Sequence, residues 1–182
     1  MLGTMPELTG MKKLSVLIVE DNIHMLRILA TMIRGFGFEE VHMVQDPAEA
    51  LEVIKNTPID LMFVDYRMPV LDGIEFTQLV RNSGDSPNPY VPIIMVTAHS
   101  EPSKVRAARD AGVSEFCCKP INAHTLYTRI VSVVNKPRDF IRAPNYFGPD
   151  RRRRDDPHYR GPERRRDRME DIEDPKSADI GF

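Results

Sequence analysis

Five residues able to do chemistry stand at the ends of short apolar runs. Glu20 and Asp21 follow Leu14–Val19, and Asp65 follows Ile59–Val64. Thr97 follows Val91–Val96, and Lys119 follows Val113–Cys118. Gathered in one pocket, the three carboxylates would repel one another. At about 4 Å and an effective dielectric near 20, each like-charged pair costs roughly 4 kcal/mol. A carboxylate must then protonate, or a cation must enter. Lys119 brings one positive charge. A hard divalent ion with oxygen ligands neutralises the rest, and Mg2+ suits one or two carboxylates, a backbone carbonyl, waters and a phosphate oxygen.

These residues meet only if the runs before them lie side by side. With Val41–Val44 there are five runs, and three are nearly continuous β-branched or aliphatic stretches. That pattern belongs to strands buried on both faces of a parallel sheet. Helical spacing fills the intervals. Ile23, Leu26, Ile28, Leu29, Met32 and Ile33 form one stripe, ended by Gly35 and Gly37. Ala48, Leu51 and Ile54 form a second behind Asp46-Pro47, an N-cap and first-turn pair. Further stripes are Ile74, Phe76, Leu79 and Val80; Val105, Ala108 and Ala111, ended by Gly112; and Leu126, Ile130, Val133 and Val134. Five strands alternating with five helices predict an α/β fold, a (βα)5 doubly wound five-stranded parallel sheet. Ligands of such a sheet bind outside the carboxyl ends of its strands, where all five residues fall.

Four segments together resemble the response-regulator receiver (CheY-like) family, whose fold is flavodoxin-like. They are Val16–Asn22, Val64–Gly73 with Asp65-Tyr66-Arg67-Met68-Pro69, Ile94–Ala98, and Cys118-Lys119-Pro120. The match spans about Leu14 to Asn135. The resemblance implies a phosphorelay switch in which Asp65 accepts a phosphoryl group from a sensor histidine kinase or a phosphotransfer protein. Asp21 and Asp65 would bind Mg2+ directly, Glu20 through water, and Arg67 by its backbone carbonyl. Thr97 and Lys119 would contact phosphoryl oxygens, Phe116 would be the switch aromatic, and Lys119-Pro120 would be cis. Arg67 and His99 would tune water access. Output would pass through the face of helix four, strand five and helix five, with Val105, Arg106, Arg109, Phe116 and Arg129 on it, or through the tail. Chemistry beyond self-phosphotransfer and autodephosphorylation is not expected.

Each residue alone has an ordinary explanation: Asp21 can cap a helix, Phe116 can be core, Lys119 can be solvated. Their joint placement at successive strand ends carries the reading. A haloacid-dehalogenase-like phosphatase would place its nucleophile after the first strand with an acid two residues on, where Arg67 stands here. A flavodoxin-like carrier needs a hydroxyl-rich phosphate loop after strand one, and Glu20-Asp21 would repel a flavin phosphate. A constitutive scaffold remains the alternative.

The 182 residues carry a net charge of -2, favouring neither nucleic acid nor membrane. No apolar run approaches the ~20 residues of a membrane span. Residues 1–12 read as a leader without the basic start and apolar stretch of a signal peptide. Cys117 and Cys118 lack metal-binding spacing and read as packing thiols of a cytoplasmic protein. The receiver is expected over 13–136. The loop Arg81–Tyr90 should lie at the rim opposite the site and be functionally bland. Residues 137–182 read as an Arg/Pro-rich disordered tail, with nine arginines between Arg151 and Arg168. In it Tyr146-Phe147-Gly148-Pro149-Asp150-Arg151 is echoed thirteen residues later by Tyr159-Arg160-Gly161-Pro162-Glu163-Arg164. The repeat suits bivalent protein binding. Phosphate of nucleic acid or anionic lipid is the competing ligand, and a salt titration separates the two. No helix-turn-helix pattern marks a conventional DNA-binding domain.

Overall fold

The computed structural model describes residues 11–98 and 101–151. After a 3-10 turn at Met11–Lys13, strands and helices alternate. They are β1 (Ser15–Val19), α1 (Ile23–Gly35), β2 (Glu40–Val44), α2 (Pro47–Asn56), β3 (Leu61–Asp65), α3 (Gly73–Asn82), β4 (Ile93–Thr97), α4 (Pro102–Asp110), β5 (Glu115–Cys118) and α5 (Ala123–Asn135). The five strands are parallel, in the order β2-β1-β3-β4-β5. The runs that read as continuously apolar are the interior strands β1, β3 and β4, buried along their whole length. β2, at the edge, is largely half-exposed.

Strand alternation sorts the core into two layers. Val16, Ile18, Phe63, Ile94, Val96 and Cys117 pack with Leu26, Leu29, Ile33, Leu126 and Ile130 of α1 and α5. Leu17, Val19, Met62 and Val64 pack on the other face with Ala50, Ile54, Phe76 and Val80 of α2 and α3. Caps fix where helices begin. Asp46 accepts from the Ala48 amide at 2.7 Å, Asn122 from Thr125 at 2.7 Å, and Asp72 and Glu75 form a reciprocal capping box. Cys117 is buried, whereas Cys118 is exposed, so only the first is a packing thiol; both are free.

The folded part does not stop at Lys136-Pro137. The chain continues into an antiparallel hairpin of β6 (Phe140–Ala143) and β7 (Tyr146–Pro149). It docks at the amino ends of β4 and β5, the rim away from the strand-end acids. Phe147, buried, and Phe140, half-buried, pack against Tyr90 of the loop before β4, with ring centroids 5.2–5.6 Å apart. The segment thus borrows a core from a loop expected to be bland. The expected disorder of 137–182 is corrected for 137–151. The second copy of the repeat lies outside the described residues.

Candidate functional site

Each site residue is delivered by the end of its strand. Glu20 and Asp21 leave β1, Asp65 closes β3, Thr97 closes β4, and Lys119 follows β5. Oxygens of Glu20, Asp21 and Asp65 lie within 4.8 Å of one another. The Lys119 Nζ reaches Asp65 Oδ1 at 2.6 Å and Glu20 Oε2 at 2.9 Å. Asp65 is only 5% exposed, and its Oδ2 accepts the backbone N–H of Arg67 at 2.9 Å. A cleft of about 240 Å3, lined by Glu20, Asp21, Asn22, Asp65, Tyr66, Arg67, Ala98 and Lys119, opens this cluster to water. Asp21 is exposed, and the cap of α1 is its neighbour Asn22, whose Oδ1 accepts from the His24 and Met25 amides at 3.0 and 3.1 Å. Capping therefore does not use the Asp21 carboxylate, which stays available in the cleft.

Three acids face one ammonium. The donor set is all oxygen and retains net negative charge, as a hard divalent cation requires. Burial pushes the Glu20 carboxyl above its ordinary value; Asp65 adds to the rise, and the hydrogen bond from Lys119 offsets part of it. Burial pulls the Lys119 ammonium down, but its hydrogen bonds to Asp65 and Glu20 outweigh that and leave it raised. A carboxyl whose folded pKa exceeds its unfolded value of 4.5 disfavours the fold as pH rises through that interval. Glu20→Gln is thus expected to raise the urea midpoint at about pH 7 but not at about pH 4, in Mg2+-free buffer. Equal midpoint shifts at both pH values would contradict it.

Thr97 is 3% exposed and lies in register with Cys118; its carbonyl accepts the Lys119 amide at 2.7 Å. It does not line the cleft itself, which its neighbour Ala98 does. Phe116 is half-buried against Met95, Ala108 and Val113, beside Tyr66 and Ile74. The Lys119-Pro120 bond is cis. His99 lies outside the described residues. On the expected output face Arg106 is exposed, Arg109 contacts the adjacent Asp110 at 3.3 Å, and Arg129 reaches the buried Glu115 at 3.3 Å. Arg129 is therefore partly committed to structure.

Three contributions were not anticipated. Gln45, at the one strand end without an expected role, donates to the Asp21 carbonyl at 2.9 Å. A polar side chain closing β2 was the available signal. Gly73 sits so close to β3 that a Cβ would lie 2.3 Å from the Asp65 carbonyl oxygen. Val70, on the loop after Asp65, has φ 69° and a fully exposed side chain. A β-branched residue there is strained. Val70→Asn is expected to stabilise the fold by about 1 kcal/mol, read as a higher melting temperature. An unchanged or lower melting temperature would show the loop is not strained.

A model of the response regulator receiver domain matches residues 16–131. The chain belongs to the response regulator receiver family. The chemotaxis protein CheY-3 of Vibrio cholerae is 29% identical over 125 residues, which are 69% of this chain and 95% of CheY-3. The receiver domain of the sensor histidine kinase PA1611 from Pseudomonas aeruginosa, with a magnesium ion coordinated in its active site cleft, is 29% identical. Its TM-score is 0.57, over 65% of this chain and 94% of that one. A chain of the co-crystal structure of the Saccharomyces cerevisiae histidine phosphotransfer signaling protein Ypd1 and the receiver domain of its downstream response regulator Ssk1 is also 29% identical. It aligns with TM-score 0.60, over 67% of this chain and 89% of that one. This receiver is accordingly a phosphorelay response regulator. No helix among its described residues is long and apolar enough to cross a membrane. The β6–β7 hairpin lies beyond the residues that match the family.

Proposed function

We propose that Asp65 of this receiver accepts a phosphoryl group from a phosphohistidine on a sensor kinase or phosphotransfer protein. The observation that carries the reading is Lys119 bridging Asp65 and Glu20, beside Asp21, in a cleft open to water. An Asp65 carboxylate oxygen attacks phosphorus while the bond to the histidine nitrogen breaks, giving an acyl phosphate. Lys119 then turns from neutralising a carboxylate to holding a phosphoryl oxygen. The Thr97 hydroxyl takes a second oxygen as β4 adjusts. The Arg67 amide steadies the carboxylate oxygen it already binds, so the attacking orbital is aimed rather than free to rotate. Glu20, Asp21, Asp65 and the Arg67 carbonyl would hold Mg2+, which supplies charge neutralisation for the incoming group. Water later hydrolyses the anhydride, with Arg67 and His99 setting its access. The response is a population shift in Phe116 and the face around α4 and β5. No further catalytic activity is assigned.

The test is to incubate the full chain with an acyl phosphate and Mg2+, then measure intact mass and map the modified peptide. One phosphoryl group on Asp65, absent when Mg2+ is chelated, is the expected result. No uptake, or uptake confined to another residue, refutes the proposal.

A further inference from the structure

α4 is the most lightly held helix of the receiver. Its one fully buried residue is Ala108, and among the described residues no side chain caps its start, whereas α1 buries Leu26, Leu29, Ala30 and Ile33. It begins shortly after Thr97 at the site rim and ends at Asp110, where the hairpin meets it. Two residues past the helix, at Gly112, the contact is backbone on backbone. A Cβ on Gly148 would lie 2.7 Å from the Gly112 Cα and 2.8 Å from the Tyr146 hydroxyl, and one on Gly112 would lie 2.7 Å from the Phe147 carbonyl oxygen. Arg151, stacked over the Tyr146 ring at 3.9 Å, reaches the Asp110 carboxylate at 3.4 Å. Arg138 ties the hairpin's base to the carbonyls of Ser114 and Asp150.

Beneath the hairpin lies a buried charge. Arg81 is 2% exposed under Phe140 and donates to the carbonyls of Gly112 at 3.1 Å and Pro89 at 2.7 Å. Its Nη2 has no hydrogen-bond partner among the described residues. Burial drags its pKa down to about 9, so the guanidinium stays charged at neutral pH, with no carboxylate paired to it among the described residues. Sealing off this charge costs free energy that its two hydrogen bonds and the Phe140 ring offset in part, so it subtracts from what docking gains.

We propose that the β6–β7 hairpin is a releasable clamp on the C-terminal end of α4, coupled through that helix to the phosphoryl site at its other end. The proposal rests on the assignment of Asp65 above. A helix that moves at its site end carries Asp110 and the Gly112 turn against Arg151 and Gly148 at its far end. Linkage makes the effect reciprocal: phosphorylation loosens the hairpin, and loosening the hairpin favours phosphorylation.

The test uses the full chain with Gly148→Ala, which forces the two backbones apart, and separately Phe147→Ser, which removes the aromatic anchor without a clash. Hydrogen exchange of the Val105–Gly112 amides, measured without phosphodonor, is expected to speed up about tenfold in both variants while α1 stays protected. Phosphoryl uptake from an acyl phosphate should accelerate about fivefold, and phosphorylated wild type should show faster exchange over 140–149. Hairpin amides that exchange freely while α4 stays as protected as in wild type overturn the clamp. A hairpin that stays protected in both variants overturns it too. Should Gly148→Ala not fold, Phe147→Ser carries the same comparison. Wild type that takes no phosphoryl group sinks the assignment of Asp65 instead, and the exchange comparison reads independently of it.

Discussion

Asp65→Asn should take up no phosphoryl group, a fall of at least about a thousandfold, while keeping its fold. The amide is uncharged and its nitrogen lone pair is delocalised, so the side chain loses its nucleophile outright. The fold survives because β3 is held by its buried neighbours Leu61, Met62, Phe63 and Val64, not by the carboxylate. In the wild type both carboxylate oxygens are used: Oδ1 by Lys119 and Oδ2 by the Arg67 amide. Asparagine has one acceptor, so one of these donors loses its partner at the site. Mg2+ affinity should fall about tenfold or more as one of three acids is neutralised. Asp60→Asn is the matched control. Asp60 lies just before the same strand at its opposite end, accepting the Ser15 amide at 2.9 Å. It should take up phosphoryl at the wild-type rate. Asp65→Asn that still labels at the wild-type rate would move the acceptor elsewhere.

What could be read in advance follows from which interactions are local. The interior strands announce themselves because a strand buried on both faces must be apolar at every position, as Leu61–Val64 and Ile93–Val96 are. Asp46 and Pro47 mark the start of α2 by a bond spanning two residues. The grouping of Glu20, Asp21, Asp65 and Lys119 spans 99 residues of sequence, yet it was legible because parallel topology sends every strand's carboxyl end to one rim. The hairpin was not. Phe140 and Phe147 stand in a segment of proline, arginine and aspartate too short to show a period, and their core is completed by Tyr90, fifty residues away. Arg81, read as the start of the loop before β4, lies in α3 and is covered by the hairpin. Asp21 and Asn22 are equally good caps by type, and only backbone geometry chooses between them. Gly73 and Gly148 matter through contacts with distant backbone, which no local pattern encodes.

Lys119→Gln is expected to destabilise the receiver by about 3 kcal/mol in Mg2+-free buffer near neutral pH, because it removes one partner of a buried charge cluster. Glu20 is 1% exposed and Asp65 5%, so the water of the cleft reaches little of either carboxylate to compensate. With the ammonium gone, they face each other and Asp21 with no cation among them. The glutamine amide can donate to only part of what Nζ now binds. The loss should depend on pH with a definite sign. Glu20 is already raised by burial and by Asp65, and Lys119 does most, with the Asn22 amide, to hold it down. Without Lys119 it rises further, so the folded variant takes up a proton that the unfolded chain does not. The variant is therefore least destabilised at acid pH and loses stability as pH climbs through the widened interval above 4.5. Mg2+ should restore much of the loss by binding the folded state alone, with a stabilisation that grows with concentration. Phosphoryl uptake should stay low at saturating Mg2+, since the contact to the phosphoryl oxygen is still missing. Denaturant titrations across pH, with and without Mg2+, read each part separately. A variant as stable as wild type in the absence of Mg2+ would mean the three acids do not need the ammonium, and the electrostatic account of this site would fail.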